Sequence, residues 1–103
     1  MNIVNLTPHN INIIQEGQTT TYEPSGCIPR VSVNVEATDN PLLYTQIYGE
    51  VTGLPEPQTD TIYIVSTLVL NACPNRTDLY APLTAQAIRN EQGQIIGVPG
   101  LVR

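Results

Sequence analysis

Four arginines, Arg30, Arg76, Arg89 and Arg103, are the only cationic side chains in this sequence, which has no Lys. A guanidinium grips a phosphate or carboxylate through two parallel N–H bonds. In a chain of net charge −5, arginines that converge would therefore mark an anion site. The best place for convergence is Ser66-Thr67. There an apolar run, Ile62-Tyr63-Ile64-Val65, gives way to residues that can form a helix. A Ser at the N-cap would leave N–H groups pointing outward at the positive end of the helix dipole. Pro24-Ser25-Gly26, just before Arg30, offers a second nest of N–H groups. On this reading Arg30, Arg76 and Arg89 neutralise phosphate, Ser66 and Thr67 donate hydrogen bonds, Tyr63 stacks on a base, and His9 joins the site. The expected partner is a small anionic ligand, a nucleotide. A plainer reading pairs Arg76 with Asp78 and Arg89 with Glu91 in surface salt links.

Catalytic and metal chemistry find less support. His9 could serve Cys27 or Ser66 in a small hydrolase, but Ser66 lies between Val65 and Thr67, outside the Gly-x-Ser-x-Gly elbow. Within Thr7-Pro8-His9-Asn10 the His reads better as part of a turn whose Thr and Asn cap backbone groups. No catalytic residue is assigned. Cys27, Cys73 and His9 give three ligands without the short spacing of structural zinc, so no metal and no cofactor is expected. Glu50, Glu56, Asp60 and Asp78 lack calcium-loop spacing and read as solubilising.

The elements that must position these residues are short strands. Ile3–Leu6 is a brief start. Residues 10–23 alternate around Glu16-Gly17-Gln18 and read as a hairpin. Val31, Val33 and Val35 mark a half-buried strand, and residues 42–51 form another, in which Tyr44 and Tyr48 share a side. Gly53-Leu54-Pro55-Glu56-Pro57 is a rigid corner. Residues 60–65 suit a central strand covered on both faces. Residues 66–73 then read as a short helix, capped by Ser66 and stopped by Pro74-Asn75, with continuation of the strand through Thr67, Leu68 and Val69 as the rival reading. Residues 78–81 form a strand, residues 87–89 and 94–98 a last hairpin, and Pro99-Gly100 loosens the tail. With Phe and Trp absent, the five tyrosines are expected to supply core bulk. The fold class is mainly β, a small single-domain barrel or sandwich of six to eight short strands with one helix.

Length and composition set the outer limits. A chain of 103 residues suits one domain. The acidic balance argues against duplex nucleic acid, whose binding needs a basic face. No apolar run reaches a membrane span, and no signal segment opens the sequence, so a reducing cytoplasmic setting with both thiols in or near the core is expected.

Several phrases carry a resemblance. Ile3-Val4-Asn5-Leu6-Thr7-Pro8-His9 is followed by Pro24-Ser25-Gly26, then by 49–57 leading into Thr61-Ile62-Tyr63-Ile64-Val65-Ser66. Arg76-Thr77-Asp78-Leu79 and residues 89–97 complete the set. The sequence resembles a group of small phage- and prophage-associated proteins that open on Val-Asn-Leu-Thr-Pro-His. The resemblance implies a cytoplasmic accessory protein that binds rather than turns over substrate. The first expectation is sequestration of a nucleotide signal of host defence. The second is a protein-interaction module, an inhibitor of a host protein or a virion component. Either is expected to oligomerise, since short sheets leave edges to cover.

Overall fold

Ile62, Tyr63, Ile64 and Val65 lie at the middle of the molecule because a run apolar on both faces can be buried only between layers. In the computed structural model, which describes residues 1–103, this run forms β6, Thr61–Ile64. It pairs in parallel with β1, Asn2–Asn5, on one side and with β7, Leu79–Pro82, on the other. β10, Leu101–Val102, adds antiparallel to β7 and completes a four-stranded sheet ordered β1-β6-β7-β10.

A parallel neighbour needs a crossover, and the residues between β6 and β7 supply it with α1, Thr67–Ala72. Ser66 caps this helix as expected, its Oγ accepting from Val69 N at 3.3 Å. Val69 packs with Leu6, Tyr63, Val65 and Leu79 to form the buried core.

Three hairpins surround the sheet. β2, Ile11–Gln15, and β3, Gln18–Tyr22, are joined by Glu16 and Gly17 at φ 51° and 78°. That pair of positive angles makes the two-residue turn that matches strand twist. β4, Arg30–Ala37, and β5, Tyr44–Thr52, form a long ribbon with a bulge between Val31 and Val33. β8, Ile88–Arg89, and β9, Ile95–Gly97, follow a single 3-10 turn at Thr84–Gln86. No helix is long and apolar enough to cross a membrane.

A small, mainly β domain with one short helix is what the strand pattern led us to expect. Three details differ. There are ten strands rather than six to eight, and the one with no sequence signal is β10, a two-residue pairing too short to show. The sheets do not close into a barrel: β1 and β10 are the edges of an open sheet. The tail after Pro99-Gly100 is not loose, since Leu101 and Val102 pair with Pro82 and Ala81 along the free side of β7. Edge pairing there outweighs the local tendency of Pro-Gly to end structure.

Candidate functional site

Asn5 accounts for the opening phrase. It is only 2% exposed, and its side chain crosslinks three segments. Nδ2 donates to His9 O at 2.7 Å and Tyr22 O at 2.8 Å, while Oδ1 accepts from Thr7 N at 2.9 Å and Thr7 Oγ1 at 2.7 Å. All four hydrogen-bonding positions of the amide are thus filled. His9 enters through its backbone carbonyl, and the residue itself is exposed. The phrase is a structural clasp between β1, the following turn and β3.

The arginines take separate positions. Arg76 makes a bidentate pair with Asp78, Nε to Oδ1 at 2.9 Å and Nη2 to Oδ2 at 2.8 Å, and donates to Pro55 O at 2.9 Å. These hydrogen bonds hold the Asp78 carboxyl below its ordinary range and raise Arg76 above its own. Arg76 therefore pins the 53–57 corner to the start of β7. Arg89 donates to Gly93 O at 2.7 Å within its own hairpin, in place of the expected link to Glu91. Arg30 lies opposite Thr52 at the base of the ribbon.

The remaining expected ligand residues are occupied similarly. Tyr63 is buried in the core and donates its hydroxyl to Glu56 O at 3.2 Å. Ser66 spends its hydroxyl oxygen on the helix cap, and Thr67 is exposed at the start of a helix of only six residues. Of Arg30, Ser66, Thr67, Arg76, Arg89, Tyr63 and His9, only Arg76 lines a cleft. That cleft, of about 230 Å³ at the end of α1, is shared with Arg103, Asn71 and Cys73. The Arg103 guanidinium lies 5.9 Å from the centre of the Tyr80 ring, within cation–π reach.

The residues that the arginine-led reading missed are on the β4–β5 ribbon. Cross-strand neighbours share a face, and the register sets Val33 beside Tyr48, Val35 beside Gln46 and Ala37 beside Tyr44. Val31 and Val51, at the base of the ribbon, pack against the core next to α1. Further out the same face lies open: Val35 is 60% exposed, Tyr44 62% and Leu42, in the turn, 85%. The tyrosines were expected in the core, but only Tyr63 is buried there; Tyr22 and Tyr80 are half-buried, and the ribbon carries Tyr44 and Tyr48 beyond the core. Cys27 is likewise exposed, its Sγ donating to Gly53 O at 3.2 Å, since it sits in the loop before β4 and not within a strand. The signal for this surface is present in the sequence as the Val31, Val33, Val35 alternation and the Tyr44–Tyr48 spacing.

No family model, curated protein or solved structure matches the chain.

Proposed function

We propose that this chain is an accessory binding protein of the phage type, acting in the cytoplasm by docking on protein surface without turnover. The ribbon is its docking element. One observation carries the reading: an amphipathic two-stranded ribbon has its apolar face covered at the base and uncovered over its distal half. Isolated ribbons of two strands are marginal in water, so an uncovered apolar face of this kind needs a partner. Once covered, the ribbon would form one layer of the sandwich that the strand count suggests. Incorporating a photo-crosslinking residue at Tyr44, with one at the exposed Thr20 as control, tests it in expressing cells. A protein adduct from position 44 and none from position 20 is expected. No adduct from 44 removes the reading.

A second reading, sequestration of an anionic nucleotide, is favoured by the cleft that Arg76 and Arg103 share. At about 230 Å³ it is smaller than the roughly 300–1,000 Å³ of a small-molecule pocket, so it would take the phosphate end and leave the base outside. Arg76 would hold its place through Asp78, and Arg103 would meet the charge. Thermal shift against cyclic nucleotides and ADP-ribose derivatives decides it. A rise in melting temperature that Arg103→Ala abolishes is expected, and no rise even at millimolar ligand ends the reading.

A further inference from the structure

We infer that the distal face of the ribbon is covered by a second copy of this chain, the two forming a two-fold pair. The inference rests on the ribbon being the docking element. Charge is the first argument. Val33, Val35 and Ala37 of β4, with Tyr44, Gln46 and Tyr48 of β5, make a face without a single ionisable carboxylate. The reverse face carries Glu36 between Asn34 and, across the ribbon, Thr45. Each copy has a net charge of −5, so two copies repel over most approaches, and burying an acid in the contact would add a desolvation penalty. The strands of the distal face let two copies meet without burying one, the nearest acid being the exposed Asp39 in the turn beyond them. A basic partner, by contrast, would find its complement on the reverse face and nothing on this one.

Area is the second argument. The exposed parts of Val35, Leu42, Tyr44, Gln46 and Tyr48 come to roughly 500 Å², so two such faces together bury about 1,000 Å², the lower bound for a specific interface. Shape is the third. The base of the same face already holds α1 and the core through Val31 and Val51. Two copies can therefore overlap only by their distal halves, with their bodies at opposite ends. The contact is isologous, the same patch serving both copies, and it closes at two.

Sedimentation equilibrium of the full chain, from micromolar to hundreds of micromolar, tests this directly. The expected mass is twice the 11.2 kDa of one chain. Val35→Glu and Tyr44→Asp each place charge in the contact at an exposed position. Each is expected to raise the dimer dissociation constant by about 100-fold or more, with circular dichroism unchanged. A wild-type chain that stays monomeric overturns the inference, as does a dimer that survives both substitutions. The cross-link at position 44 separates the two levels. An adduct at twice the chain mass supports the pair. An adduct to a different protein from a monomeric chain overturns the pair and leaves the docking role standing, and no adduct removes both.

Discussion

Asn5 holds more of the structure than any other polar side chain, and its removal tests how much. In Asn5→Ala the amide and hydroxyl of Thr7 lose their acceptor in a buried place, and the carbonyls of His9 and Tyr22 lose the Nδ2 donor, although His9 O keeps the hydroxyl of Thr7. A loss of about 3 kcal/mol in urea unfolding is expected, whereas His9→Ala, which keeps the backbone carbonyl, should stay within about 0.5 kcal/mol. The Arg76–Asp78 pair gives a pH signature. Its hydrogen bonds depress the Asp78 carboxyl in the folded state, so its stabilisation is present above the carboxylate's unfolded value and fades as acid protonates the folded group. Wild type should exceed Asp78→Asn by about 2 kcal/mol at neutral pH, with the gap closing as pH falls below about 4. Urea unfolding at several pH values measures that gap. The link between these two residues was legible because they lie two apart in sequence. The partners of the other arginines were not, because residue type does not say which carbonyl a guanidinium will meet.

At the scale of elements, legibility followed local chemistry. The helix after β6 could be read from its cap and its proline stop, and the β2–β3 hairpin from the turn at Glu16-Gly17. Strand direction was hidden: a run buried on both faces reveals its central place but not that both neighbours run parallel to it. β9 shows a tighter constraint. The residue that follows it, Val98, meets β2 through Ile14 N to Val98 O and Val98 N to Asn12 O, both at 2.9 Å. A methyl group at Gly97 would come within 2.7 Å of Ile14 Cδ1 and 2.8 Å of Asn12 O. Gly97→Ala should destabilise by about 1–3 kcal/mol, with hydrogen-exchange protection falling first at Ile14 and Val98 and last at Ile64.

The whole molecule is extended for its length. Its radius of gyration is 16.0 Å, against about 13 Å for a compact domain of this size, and its longest axis is 51 Å. Composition conveyed a mainly β domain but not this outline, because the Val and Tyr alternation that builds a core strand also builds a projecting arm. The parallel pairing of Asn2–Asn5 with Thr61–Ile64 has a consequence for synthesis. Both larger hairpins are made of neighbouring residues and close soon after they leave the ribosome, while β1 must wait for a strand that lies beyond them in the chain. The nascent chain therefore carries paired but marginal ribbons with nothing at their centre. Its core closes only when the second half of the protein arrives.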